Sequence, residues 1–296
     1  MFMENKYALF LGCTIPLRGR QYEKSAIEIG RLFGAELEPQ QDFACCGFPI
    51  KSATREGTLL LAARNLAVAE EAGLEVLALC SSCASVLAEA AEELAEDDGL
   101  RSRVNEKLAQ VGRKVEKPPR VRHFARWLYE EVGPGAMAEK VVAPLGDFRF
   151  AVHYGCHYLK PSWAFHDAED PEAPHSIGDL LRATGAEVVD YAEYKKCCGG
   201  ALLGIDAELS LAIAGEKLTR VKAAGPDAVV LVCPFCAVMY DDNQKKISAH
   251  IEQELDLPVL FLPQVLGLAL GLSAKDVGLK LAKNKCEKLI AAFAEP

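Results

Sequence analysis

Glu75-Val-Leu-Ala-Leu-Cys80 returns about 150 residues later as Ala228-Val-Val-Leu-Val-Cys233. Both are short apolar runs that end on the first cysteine of a C-x2-C pair, Cys80/Cys83 and Cys233/Cys236. Runs of this length and apolarity read as strands buried on both faces of a sheet. Tyr7 to Leu11 and Phe148 to Val152 read the same way, and each leads within a few residues to another cysteine, Cys13 or Cys156. Between them lie helical patterns: Leu59, Ala62, Ala63, Leu66 and Ala69 closed by Gly73; Val86, Leu87, Ala90, Ala91 and Leu94; Leu211, Ala214, Leu218 and Val221. Ser176 with Asp179 suggests a capping box. Strands alternating with helices predict α/β architecture with parallel sheets.

The repeat extends further. Phe10-Leu-Gly-Cys13 matches His153-Tyr-Gly-Cys156, and Gly34-Ala-Glu-Leu37 matches Gly185-Ala-Glu-Val188. Vicinal cysteines, each followed by glycine, stand in both halves as Cys45-Cys46-Gly47 and Cys197-Cys198-Gly199. The expected fold is therefore two pseudo-symmetric, Rossmann-like halves, residues 1–145 and 146–296, joined between Gly133-Pro134-Gly135 and Gly146. Open α/β sheets hold ligands beyond the carboxyl ends of their strands. Each five-cysteine set can converge there: Cys13, Cys45, Cys46, Cys80 and Cys83 in one half, Cys156, Cys197, Cys198, Cys233 and Cys236 in the other.

Composition narrows the chemistry. A net charge of −9 argues against nucleic acid, whose phosphates call for a basic surface. No run approaches the roughly 18 apolar residues of a membrane span; Val259 to Leu272 is shorter and interrupted by Pro263 and Gln264. The run from Met1 to Lys6 leads straight into a strand without a leader pattern, so a reducing cytoplasm is expected. There, metal binding is favoured over disulfides. Bridging neighbours such as Cys45 and Cys46 would also strain the ring. Zinc and an ordinary cubane cluster each need only four thiolates, leaving a fifth without a role. Five thiolates, two of them adjacent, suit a larger or more open iron–sulfur cluster.

These motifs resemble the tandem CCG domains of the B-type subunit of heterodisulfide reductases. The resemblance rests on Gly12-Cys-Thr-Ile-Pro-Leu-Arg18, Ala44-Cys-Cys-Gly-Phe-Pro49, Tyr154-Gly-Cys-His157 with Pro161-Ser162, Cys197-Cys-Gly-Gly200 and Cys233-Pro-Phe-Cys236. It implies a noncubane [4Fe-4S] cluster on each five-cysteine set, two per chain, with a disulfide substrate cleaved between them. It also implies partners: a C-type iron–sulfur subunit and an A-type subunit containing flavin and iron–sulfur centres, which would supply electrons. The substrate would be a small thiol/disulfide or a protein disulfide. A different class of function is an electron relay, as in glycolate- or lactate-oxidising complexes. An intact second cysteine set favours the enzyme, because a pure relay has less need of two matched sites.

Outside the cysteines, His153 and His157 bracket Cys156 and are candidate proton donors or orienting groups. Arg18 and Lys160 stand at similar offsets after Cys13 and Cys156, either to hold an anionic substrate or as solvated cations. His166 to His175 is an acidic insertion, read as a lid or a passive loop. His123 and His250 belong to no motif and read as structural. Cys286, at helical spacing with Leu279, Ala282, Leu289 and Phe293, is expected to be buried and inert.

Overall fold

The computed structural model describes residues 5–294; residues 1–4 of the N-terminal run and the last two residues lie outside the described residues. Two four-stranded, wholly parallel sheets form the frame. The first contains β1 (Asn5–Phe10), β2 (Ala35–Pro39), β3 (Glu75–Ala78) and β4 (Val121–His123) in the order β2-β1-β3-β4. The second repeats it with β5 (Arg149–His153), β6 (Glu187–Val189), β7 (Ala228–Leu231) and β8 (Val259–Phe261), ordered β6-β5-β7-β8. The central pairs are in matching register, Leu9 opposite Leu77 and Val152 opposite Val230. All four apolar runs singled out in the sequence are the central strands. In each sheet the strand order reverses between those two, at β1/β3 and β5/β7, the switch point where α/β sheets open a ligand crevice.

The long helices are built alike. Arg55–Ala72 and Ala207–Ala224 each span 18 residues. Thr54 caps the first by accepting the Gly57 N–H at 3.1 Å, and Asp206 caps the second by accepting the Leu209 N–H at 3.0 Å. Left-handed Gly73 and Gly225 end them. Ser81–Glu96 starts directly on Cys80, so the C-x2-C pair occupies a helix start. Two local readings differ from the structure. Ser176 is the first residue of its helix rather than the cap, and its hydroxyl instead donates to buried Glu169 at 2.8 Å. Cys286 is buried as expected, but Ala282 is extended and Cys286 precedes a short helix, Glu287–Ala292.

The halves are tightly joined. Helix Arg20–Leu32 of the first packs on Leu262–Ala269 of the second, with Tyr22 stacked on Phe261 at 4.2 Å. The carbonyl of Val232, just before Cys233, accepts three hydrogen bonds from the first half. They come from Tyr22 Oη (3.0 Å), His123 Nε2 (2.9 Å) and Ser81 Oγ (3.4 Å). His123 is thus structural, and its Nδ1 also accepts the Ala125 N–H at 3.0 Å. Among the described residues, no helix is long and apolar enough to cross a membrane; the 259–272 run is β8 followed by a short helix carrying Pro263 in its first turn.

Candidate metal centres

Each vicinal pair is held in place by the long helix that follows it. Thr58 Oγ1 donates to the Gly47 carbonyl at 3.3 Å, and Ser210 Oγ donates to that of Gly199 at 2.9 Å. The turn requires glycine twice over. Gly47 and Gly199 have φ of +93° and +79°, and a Cβ would stand 3.0 Å from Thr58 Cα in the first and 2.6 Å from the Ser210 oxygen in the second. About two helical turns further along, the helices diverge. Asn65 accepts the Ala44 N–H at 2.8 Å and donates to the Cys45 carbonyl at 3.1 Å. At the same offset from the second pair stands Lys217, whose Nζ donates to the carbonyls of Tyr194 (2.7 Å) and Lys196 (2.6 Å).

All ten motif cysteines are free thiols, and so is Cys286. Within each set the sulfurs interact in sequence: Cys45 with Cys46, Cys46 with Cys83, and Cys83 with Cys80. In the second set the run is one longer, from Cys156 through Cys197, Cys198 and Cys236 to Cys233, whereas Cys13 of the first set is exposed and meets Thr14 Oγ1 at 3.8 Å. The two chains of sulfurs meet where Cys80 Sγ lies 4.0 Å from Cys233 Sγ. Backbone amides point at the sulfurs: Gly47 N–H at Cys45 (3.5 Å), Gly199 N–H at Cys197 (3.3 Å) and Gly200 N–H at Cys198 (3.4 Å).

Such crowding divides the protons unequally. Donation from Cys156 and Cys198 drives the Cys197 thiol down to about 2, and donation from Cys236 and Cys80 takes Cys233 well below the ordinary thiol range. Cys46 is lowered by Cys83. Their partners move the other way: Cys83 rises because it donates to Cys46 and is buried, and Cys198 rises to about 12 beside Cys197. Each set therefore already stabilises a thiolate, the form that binds a soft metal. Five convergent sulfurs with amide N–H donors fit an iron–sulfur cluster.

A cavity of about 750 Å³ opens between the halves over the first set. Cys13, Cys46, Cys80 and Cys83 line it, facing Phe235, Ile205 and His157 from the second half, with Lys51 in its wall. The second set closes around a far smaller space of about 20 Å³ whose wall shares Phe48, His157 and Phe235 with the large cavity.

The candidate residues outside the sulfurs separate in space. His157 is at the cavity wall, with Nδ1 3.1 Å from Cys156 Sγ and its ring edge-on to Phe48 at 4.6 Å. Burial depresses its pKa. His153 is fully buried behind the second set; its Nε2 lies 3.3 Å from Cys236 Sγ and its Nδ1 has no partner among the described residues. Burial holds its pKa well below the ordinary histidine range. Arg18 pairs with Asp242 across the halves at 2.9 Å, away from the cavity lining. Lys160 lies 3.6 Å from Glu172 and lines an outer cleft with Cys156, His157 and Lys51. The acidic insertion is latched down: Glu169 accepts the N–H groups of His175 and Ser176, both at 2.6 Å. Lys51, which contacts Glu89 at 2.6 Å, and buried Lys217 escaped the sequence reading. Lys51 lies beyond the motif, but Lys217 was visible by overlaying the two halves.

The fold and its sulfurs define a tandem cysteine-rich α/β protein. The Cysteine-rich domain (CCG) family model matches twice, at residues 7–88 and 150–241. The chain is 35% identical over 280 residues to the B-type subunit of the ferredoxin:CoB-CoM heterodisulfide reductase of Methanosarcina mazei, covering 93% of each chain. It is 32% identical over 279 residues to the "8-methylmenaquinol:fumarate reductase membrane anchor subunit" of Wolinella succinogenes, covering 94% of this chain and 96% of that one. A solved structure described as a hypothetical protein from Helicobacter pylori superposes with a TM-score of 0.78 at 19% identity, over 96% of this chain and 55% of that one, a likeness of fold. The chain belongs to the family of heterodisulfide reductase B-type subunits. It is an iron–sulfur subunit of the heterodisulfide reductase type.

Proposed function

We propose that this chain is the catalytic subunit of a heterodisulfide reductase-like complex, cleaving or forming a disulfide between two noncubane [4Fe-4S] clusters. The observation that carries the reading is the 4.0 Å approach of Cys80 and Cys233 beside a cavity lined by both halves. Cys13, Cys45, Cys46, Cys80 and Cys83 would hold one cluster, and Cys156, Cys197, Cys198, Cys233 and Cys236 the other. When bound, the clusters supply one electron to each sulfur of the substrate. The net change is R–S–S–R′ plus two electrons and two protons to R–SH and R′–SH. Electrons come from partner subunits of the C type (iron–sulfur) and the A type (flavin, iron–sulfur), in the cytoplasm.

The chain's own residues bind and orient. Phe48, Phe235 and Ile205 offer apolar surface to the body of a small disulfide. Lys51, though paired with Glu89, stands in the wall where an anionic group would lie, with Lys160 in the adjoining cleft; Arg18, which does not line the cavity, is the weaker candidate for that task. His157, rather than the enclosed His153, has the position from which an imidazole nitrogen can pass a proton to a departing sulfur. The fumarate reductase relative favours a second reading, an electron relay of the kind also expected in glycolate- or lactate-oxidising complexes.

One experiment tests both. Anaerobic protein should carry about eight irons, two four-iron clusters. Cys46→Ser and Cys198→Ser each replace one soft ligand. Both variants should lose disulfide-dependent oxidation of reduced viologen while keeping one cluster. If either keeps more than about a tenth of the rate, roughly 1.4 kcal/mol of barrier or less, that set is outside the chemistry and the relay reading stands.

A further inference from the structure

The halves repeat each other closely around the sulfurs, so the places where they differ are informative. Besides His157, which stands beside Cys156 where the first half has Thr14 beside Cys13, two buried differences fall at or next to the cysteines. His153 immediately precedes Tyr154-Gly155-Cys156, where the first half has Phe10 before Leu11-Gly12-Cys13. Lys217 occupies the helix position that Asn65 fills in the first half. All four side chains are buried. Both differences add a positive or hydrogen-donating group to the second set.

Lys217 is 2% exposed, and its ammonium is held by two carbonyls of the loop leading into Cys197. Among the described residues it has no carboxylate partner, so its charge is not cancelled. Burial lowers its pKa to about 8, which leaves it mainly protonated at neutral pH. His153 sets its Nε2 3.3 Å from Cys236 Sγ, within hydrogen-bond reach of that sulfur. Asn65 carries no charge and its amide is spent on backbone groups; Phe10 has nothing to donate. Lys51, which lines the first set's cavity, is half-exposed and engaged by both oxygens of Glu89 at 2.6 and 2.7 Å. Exposure of Cys13 pulls the other way, but a single solvated ligand is a weaker influence than a full charge kept out of water.

Reduction adds negative charge to a metal centre. A nearby buried cation and an N–H donated to a ligand sulfur both stabilise the reduced form and raise the potential. We propose that the two centres are electrostatically inequivalent: the second set, with Lys217 buried on the loop entering Cys197 and His153 at Cys236, takes the first electron, and the first set, flanked by Asn65 and Phe10, takes the second. This rests on the reading of two iron–sulfur centres, and it assigns their order.

The test is an anaerobic redox titration of the whole chain followed by electron paramagnetic resonance, with iron counted in parallel. Two resolved centres are expected, the wild-type protein reducing one well before the other. Lys217→Gln keeps a donor near the loop carbonyls but removes the charge. It should leave the higher-potential centre at least tenfold more oxidised at a fixed potential, about 59 mV for one electron. The lower-potential centre should be unmoved, and Lys217→Arg should restore the wild-type order. His153→Phe copies the first half and should shift the same centre in the same direction with full iron; it carries the test alone if Lys217→Gln fails to assemble. A shift of the lower-potential centre, or no shift in either variant, overturns the inference while leaving two centres in place. Iron for only one cluster in the wild-type protein overturns the two-centre reading and the inference with it.

Discussion

Replacing Gly199 by alanine should cost far more than the same change at Gly73, although both have positive φ. Gly73, at +67°, ends a helix in open space, with nothing within 4 Å of an added Cβ. Alanine there meets the left-handed backbone penalty alone, about 1 kcal/mol. At Gly199 the φ of +79° adds the same penalty, and the Cβ would also press to 2.6 Å on the Ser210 carbonyl. That oxygen belongs to helix Ala207–Ala224, which cannot retreat without loosening the bond from Ser210 Oγ to the Gly199 carbonyl. Overpacking of this kind costs about 1–3 kcal/mol more. Gly47→Ala should fall between, since its nearest contacts are at 3.0 Å. Because the strain lies on the turn that carries Cys197 and Cys198, it should also reach a cluster held there as proposed. The assay is denaturant unfolding of anaerobic protein alongside iron analysis. Gly199→Ala should show the lowest midpoint and about half the iron, with Gly73→Ala close to wild type in both. Equal midpoints for the two variants, or full iron in Gly199→Ala, would refute the argument.

Two further outcomes are expected. Chelation of iron should lower the melting temperature of the whole chain, because clusters held as proposed would draw ligands from distant segments and metal binding would then contribute to folding; identical melting of metal-free and loaded protein would remove the cysteines from the structural account. His123, buried and neutral between the halves, has its pKa lowered to about 4 by burial. The unfolded chain takes up that proton first, so the contribution is intact above about pH 6.5 and is lost as pH falls toward 4, by up to about 3 kcal/mol. Unfolding midpoints from pH 7 to 4 should fall less steeply in His123→Gln than in wild type, and parallel slopes would contradict this.

The central strands were legible because they are buried on both faces and carry unbroken apolar runs. Their edge neighbours were not. β2 is Ala35-Glu-Leu-Glu-Pro39 and β4 is Val121-Arg-His123, short and polar enough to pass for loops. β8 is hidden at the head of an apolar run that continues without a turn into a helix. The gathering of the motif cysteines into two groups was readable from spacing, since each follows a strand or marks a turn. What spacing could not supply is which side chains face the gap. His153 and His157 look equivalent around Cys156, yet a strand end buries one and a helical turn presents the other. Lys51 meets Glu89 across 38 positions, a pairing no local pattern encodes.

The meeting of Cys80 with its counterpart Cys233 has a consequence for how such a molecule can diverge. In a symmetric dimer of a single cysteine-rich unit, equivalent residues would face each other in this way, and every substitution would be copied onto both sides. Joining the two units in one chain keeps that face-to-face contact but releases the sides from identity. A lysine can then be installed opposite an asparagine, and a histidine opposite a phenylalanine, without doubling either. Polarity across the junction, a source side and a sink side for charge, becomes available to a mutation at one codon.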